Sequence, residues 1–179
     1  PARSFERAGP RRQIYFRPGD VRAAAVTCGG LCPGMNNVIR SLVLQLRYGY
    51  GVTTCLGIRY GYRGLDPRTG LAPIDLTTDA VSDIHEHGGS MIGTSRGNPE
   101  PALMVRRLRD LGINMLFVIG GDGSQRGAHQ IWLESERQGH EMAVVGIPKT
   151  IDNDIPYVWR SFGYATAVEK ARQVIDSAH

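Results

Sequence analysis

The run Asn114-Met115-Leu116-Phe117-Val118-Ile119 constrains the fold most, because it is apolar, β-prone and stops abruptly on Gly120-Gly121. A short apolar run bounded by glycine reads as a buried strand. A helical stretch follows to about Gln138, Gly139 ends it, and Met142 to Ile147 reads as another buried strand. Strand, glycine turn, helix and strand form a βαβ unit, whose two strands pair in parallel. The upstream half repeats the scheme. Arg22 to Thr27 is small and β-prone and ends in Cys28-Gly29-Gly30. Pro33-Gly34-Met35-Asn36 opens a helix to about Tyr48, with Val38, Ile39, Leu42, Val43 and Leu46 at helical spacing. Gly49 and Gly51 close it, and Val52 to Ile58 is the next strand. The expected fold is α/β: a three-layer, Rossmann-like, mostly parallel sheet with helices on both faces.

The remaining segments are less periodic. Residues 65–76 look irregular, with Pro67, Gly70 and Pro73. Thr78 or Asp79 can cap a short helix to His87, which Gly88-Gly89 stops. Pro99 to Leu111 reads as a helix with Leu103, Val105, Leu108 and Leu111 inward. A last helix runs from about Phe162 to the end, with Ala165, Val168, Ala171 and Ile175 inward. Residues 1–21 hold Arg3, Arg7, Arg11, Arg12 and Arg17 without a clean period and read as a basic arm. The domain proper is expected over 22–179, with no second lobe to close a cleft.

Composition excludes several classes. With 179 residues, 41% hydrophobic, the chain can bury one real core. No apolar stretch is long enough to cross a bilayer, and the start is not a secretory signal. The net charge is +4, nearly all of it from Arg. No aromatic-plus-basic stripe suggests nucleic acid, so small phosphorylated ligands match better. The three cysteines, Cys28, Cys32 and Cys55, are odd in number and read as reduced, buried thiols. Cys28 and Cys32 lack the second ligand pair of a zinc site. His85-Glu86-His87 is no metal helix, because residues two apart face different ways.

The chemistry sits where strands end, since ligands of parallel sheets bind at the carboxyl ends of strands. Gly29-Gly30-Leu31-Cys32-Pro33-Gly34 joins a strand to a helix, so backbone amides and the helix dipole favour an anion. It is neither a dinucleotide fingerprint nor a Walker loop. Gly120-Gly121-Asp122-Gly123-Ser124 has the same placement and adds a carboxylate able to hold Mg²⁺. The third loop, Pro148-Lys149-Thr150-Ile151-Asp152-Asn153-Asp154, is a polar turn on its own. Beside two phosphate-type loops it becomes the reactive one. Phosphoryl transfer to an alcohol needs a base, a cation and in-line positioning. Asp152 suits the base, Thr150 binds phosphate or acceptor, and Asp154 orients a neighbour or the metal's waters. Arg96, in Thr94-Ser95-Arg96-Gly97, suits bidentate contact with the moving phosphate.

Gly-Gly-Leu-Cys-Pro-Gly-Met-Asn at 29–36, Gly-Tyr-Arg-Gly at 61–64, Gly-Gly-Asp-Gly-Ser at 120–124 and Pro-Lys-Thr-Ile-Asp-Asn-Asp at 148–154 together resemble the phosphofructokinase family in order and interval. Ile14-Tyr15-Phe16 and Asn114-Met115-Leu116-Phe117-Val118 look like its plant-type ATP-dependent branch. The resemblance implies phosphate transfer from ATP, with Mg²⁺, to the 1-hydroxyl of fructose 6-phosphate, in glycolysis. It implies Asp152 as proton acceptor, with Thr150, Ile151 and Lys149 on the acceptor side and Arg96 at the transferred phosphate. Asp122 would hold Mg²⁺. Gly29, Gly30, Tyr62, Arg96, Gly97, Gly121, Gly123 and Ser124 would line the nucleotide phosphates. It further implies a homo-oligomeric, allosteric enzyme, with the cytoplasm as default compartment and a plastid as alternative.

Two departures bear on this. Gly123 leaves room for the α-phosphate of ATP, whereas an Asp there favours pyrophosphate; Lys149 is typical of pyrophosphate users. The chain carries both, and Gly123 argues for ATP. The segment that holds the sugar's 6-phosphate in relatives is absent, so weak or no kinase activity is expected of the chain alone. A pyrophosphate-dependent enzyme and a non-catalytic nucleotide- or sugar-phosphate-binding subunit are the alternative readings.

Overall fold

A computed structural model describes residues 12–178. Its centre is a five-stranded sheet in the order β3-β2-β1-β4-β5. The strands are β1 (Arg22–Thr27), β2 (Thr54–Ile58), β3 (Ile74–Asp75), β4 (Met115–Gly120) and β5 (Ala143–Pro148). All neighbours pair in parallel except β2 and β3, where Leu56 faces Asp75 and Gly57 faces Ile74. The helices are α1 (Met35–Leu44), α2 (Pro101–Asp110), α3 (Asp122–Arg137) and α4 (Tyr164–Ser177). α1 runs on as a π-type turn over Gln45–Gly49.

The small residues of β1 divide the interior in two, because successive side chains of a strand point to opposite faces. Ala24 and Val26 join Leu116 and Val118 of β4 beneath α2 (Met104, Val105, Leu108) and α3 (Ala128, Ile131). Ala23 and Ala25 join Ile119 beneath α1 (Ile39, Val43), with Val81, Ile84 and Ile92. Helices therefore cover both faces, as the sequence predicts. Burying each large apolar side chain contributes ~1.5–3 kcal/mol, and Leu116, Val118 and Ile119 of β4 are all fully buried.

Four expectations need correction. The segment from Thr78 to His87 forms no α-helix. The Thr77 hydroxyl accepts from Ala80 N–H, and only Ile84–Glu86 winds into a 3₁₀ turn. Two apolar anchors, Val81 and Ile84, satisfy the core without a helical stripe. On α2 the buried residues are Met104, Val105 and Leu108; Leu103 and Leu111 are only partly buried. β5 is an edge strand rather than a buried one. It pairs with β4 alone, and Val145 is 41% exposed. On α4 no residue is buried, and Ala165, Val168, Ala171 and Ile175 face solvent. An apolar stripe marks a face that wants a partner, but nothing among the described residues covers this one.

Of the expected arm, residues 1–11 lie outside the described region. From residue 12 the chain lies on its own domain: the Tyr15 hydroxyl donates to Glu141 at 2.7 Å, and Phe16 packs against the α1-side core. Asn114 fastens the entry to β1, accepting from Arg22 N–H at 2.9 Å and donating to the Asp20 carbonyl at 2.8 Å. No helix among the described residues is long and apolar enough to cross a membrane.

Candidate functional site

β1, β4 and β5 are consecutive in the sheet and parallel, so their carboxyl ends open on one edge. Loop 1 (Cys28 to Gly34), loop 2 (Gly120 to Ser124) and loop 3 (Pro148 to Asp154) leave from that edge. α1 packs on one face and α3 on the other, so the chain switches faces between β1 and β4. That switch opens the crevice in which α/β sheets bind ligands.

A cleft of about 340 Å³ lies there, lined by Cys28, Gly29, Gly30, Ser95, Arg96, Gly97, Asn98, Gly121, Asp122, Gly123, Ser124 and Lys149. A neighbouring hollow of about 320 Å³ is lined by Gly120, Gly121, Asp122, Gln125, Pro148, Lys149, Thr150, Asp154 and Ile155. Gly121, Asp122 and Lys149 line both. The structure thus brings together residues of three loops and the Arg96 segment, while Ile151 and Asp152 of loop 3 line neither hollow.

Their individual surroundings differ. Arg96 is exposed and makes no hydrogen bond or ion pair among the described residues. Its segment is clasped to loop 1: Gly29 N–H donates to the Ser95 carbonyl at 2.9 Å, and the Thr94 hydroxyl donates to the Gly29 carbonyl at 2.7 Å. The Gly29 amide is therefore spent inside the protein. Gly29 has φ +84°, a left-handed conformation that suits glycine. Asp122 opens α3, with its carboxylate exposed. Gly123 follows, and a Cβ there would meet nothing within 4 Å. Ser124 is buried, at 9% exposure.

Tyr62 does not line the cleft. It is 1% exposed and supports loop 2 from behind, its hydroxyl donating to the Ser124 carbonyl at 2.6 Å. Burial pushes its hydroxyl pKa up strongly, so it stays protonated.

Loop 3 is a closed polar turn. The Thr150 hydroxyl donates to Asp154 Oδ1 at 2.6 Å and accepts from Asp152 N–H at 3.1 Å. Asn153 takes φ +53°, which Asn tolerates, and its Oδ1 accepts from Ser161 N–H at 2.7 Å. The Asp152 carboxylate has no side-chain partner among the described residues, and Ile151 beside it is 43% exposed. Lys149 is 7% exposed and donates to the Gly30 carbonyl at 2.7 Å.

The three thiols are free and buried. Burial pushes Cys28 up to about 11, with Lys149 partly offsetting it, and Cys55 to about 12. Burial therefore holds these thiols away from the reactive thiolate form. No cluster of three metal-ligating side chains occurs among the described residues. Asp122 alone nevertheless fits Mg²⁺, which keeps several waters and takes one or two carboxylates plus donor phosphates.

Sequence reading missed Thr94, Gln125 and Ser161 as loop supports. Thr94 had a signal, its place in the Arg96 segment. Gln125, whose amide donates to the Gly120 carbonyl at 2.9 Å, had none.

A sequence profile of the phosphofructokinase family matches residues 22–179. The chain is 53% identical to "ATP-dependent 6-phosphofructokinase 7" of Arabidopsis thaliana, over 98% of this chain and 36% of that protein. It is 50% identical to "ATP-dependent 6-phosphofructokinase" of Borreliella burgdorferi, over 98% of this chain and 39% of that one. Among solved structures, Pichia pastoris phosphofructokinase in the T-state aligns with a TM-score of 0.75 at 27% identity, over 97% of this chain and 21% of that one. A pyrophosphate-dependent phosphofructokinase from Marinobacter aquaeolei aligns with a TM-score of 0.73 at 24% identity, over 88% and 42% of the two chains, a likeness of fold. The chain spans well under half the length of these relatives.

Proposed function

The chain belongs to the phosphofructokinase family, and on that premise we propose that residues 22–179 form the nucleotide-binding and proton-transfer part of an ATP-dependent 6-phosphofructokinase. The observation that carries this reading is the convergence of three strand-end loops on one sheet edge, with the carboxylates of Asp122 and Asp152 exposed there. Phosphoryl transfer needs the attacking hydroxyl and the leaving oxygen in line about phosphorus, with a base beside the hydroxyl.

In this proposal the cleft beside Gly97, Gly121, Gly123 and Ser124 takes the phosphates of ATP, at the amino end of α3, where unpaired amides and the dipole favour negative charge. Arg96, without a partner among the described residues, pairs with the phosphate being transferred. Asp122 holds Mg²⁺, which neutralises phosphate charge when bound. Asp152 accepts the proton of the sugar's 1-hydroxyl. Thr150 and Asp154 fix the backbone of the turn that presents it, with Ile151 beside the sugar. Gly29 shapes loop 1 and leaves the Gly30 end of the loop to face the donor. Fructose 6-phosphate is the proposed acceptor, and the complete enzyme a homo-oligomer of cytoplasm or plastid; chloroplastic names occur among the relatives.

Calorimetric titration of the chain with Mg-ATP, with and without fructose 6-phosphate, tests the reading. Saturable Mg-ATP binding that Asp122→Ala weakens is expected. A chain that binds fructose 6-phosphate but no nucleotide would overturn it.

A further inference from the structure

Lys149 is the one charged side chain among the buried described residues, at 7% exposure, and it forms no ion pair there. A buried ammonium without a carboxylate is unfavourable unless hydrogen bonds compensate it. Here one does, and it spans the site: Nζ donates to the Gly30 carbonyl of loop 1 at 2.7 Å. The same residue's amide N–H donates to the Gly120 carbonyl, at the start of loop 2, at 3.0 Å. Its own backbone is the start of loop 3. One residue therefore ties all three loops together.

The local packing supports the same role. Gly29 curves over the ammonium, so that a Cβ at Gly29 would stand 3.7 Å from Nζ, and a Cβ at Gly121 would stand 3.3 Å from the Lys149 carbonyl. Lys149 lines both the 340 Å³ cleft and the 320 Å³ hollow, with Gly121 and Asp122. Its charge also faces the Cys28 and Cys32 thiols, both kept protonated by burial, so neither neutralises it.

We propose that Lys149 is a positioning residue that pins loop 1 to loops 2 and 3, and that it does not choose the phosphoryl donor. The donor half of this statement rests on the proposed nucleotide site; the pin does not. An ammonium anchored to the Gly30 carbonyl sets the spacing between loops for any phosphate that enters. Removing it loosens loop 1 and weakens every donor alike.

The test compares wild type, Lys149→Met and Lys149→Arg by amide hydrogen exchange. Met keeps the stem and loses the donor; Arg keeps charge and donors. For K149M we expect exchange at the Gly29 amide, which donates to the Ser95 carbonyl at 2.9 Å beside the pinned Gly30, to rise about tenfold or more, the scale of losing a hydrogen bond to a charged group. Amides of β1 and β4 should keep their protection, which separates a local pin from general destabilisation. K149R should restore slow exchange. In parallel, calorimetry should give K149M weaker binding of Mg-ATP and of Mg-pyrophosphate, with their affinity ratio within about threefold of wild type. Wild-type exchange in a folded K149M overturns the pin. A ratio shifted tenfold or more toward ATP overturns the donor statement. If wild type binds neither donor, the proposed function fails while exchange still decides the pin. If K149M does not fold, wild-type protection of the Gly29 amide in K149R supports the pin, and fast exchange there in a folded K149R overturns it.

Discussion

The Tyr62 hydroxyl donates to the Ser124 carbonyl at 2.6 Å from within the core, so an aromatic ring carries the first turn of α3 from behind. The ring also fills the space beside Gly127, where a Cβ would lie 2.7 Å from Cε2. Tyr62→Phe leaves the Ser124 carbonyl without this partner and should cost ~1–3 kcal/mol in denaturant unfolding. Gly127→Ala should destabilise as well, although Ala favours a helix by ~1 kcal/mol, because the clash is with a buried ring. Equal or higher stability of Gly127→Ala would show that the ring yields.

Open space around Gly123 makes it a clean probe of the proposed donor site. Gly123→Asp should fold normally, since a carboxylate in the first turn of a helix is favourable. It should nevertheless weaken Mg-ATP binding at least tenfold, through repulsion of the phosphates. Unchanged affinity in calorimetry would remove the donor from the amino end of α3.

The two carboxylates of loop 3 should separate in their effects. Asp152 makes no side-chain bond among the described residues, so Asp152→Asn should leave the melting temperature unchanged. In the complete enzyme it should lower kcat by ~10²–10⁴-fold, the worth of a general base. Asp154 accepts from the Thr150 hydroxyl at 2.6 Å. Asp154→Ala should therefore loosen the turn and raise its amide exchange. Equal kinetic losses in both variants would argue against Asp152 as the base.

Buried thiols set an alkaline limit. Cys28 titrates near 11 and Cys55 near 12 in the folded chain, against 9.0 for an unperturbed thiol. A raised folded value means that the stabilisation is complete below pH 9.0 and falls as pH rises toward 11 and 12. Stability should be flat from pH 7.5 to 8.5 as far as these groups are concerned, then decline. A thiol-specific reagent at neutral pH should label the native chain slowly and the urea-unfolded chain rapidly. Fast native labelling would show that the pockets open.

Legibility in the sequence followed locality. β1, β4, α2 and α3 were readable because an apolar run or stripe meets a glycine or proline stop within a few positions. β3 was not, since Ile74–Asp75 is too short for a period and exists only through pairing with β2. Apolar content predicted burial for β5 and α4, but composition cannot say whether a covering element is present; β5 proved half-buried and α4 exposed. The same division holds in the site. Each loop announced itself after a strand. The Tyr62 support and the Lys149 bond to Gly30, 119 positions apart, depend on contacts that no short window contains.

The pairing of β1 with β4 also carries a kinetic consequence. These strands meet across 92 positions of chain, where Ala23 pairs with Met115 (115 − 23), with β2 and β3 threaded between them in sequence. Closing so long a loop is entropically unfavourable until the core forms, so such pairings come slowly. Loops 1 and 2 face each other only after that closure. During synthesis the edge that carries loops 1 and 2 therefore cannot assemble until β4 has emerged. A chain interrupted earlier would hold α1 and the first phosphate-type loop with nothing opposite them.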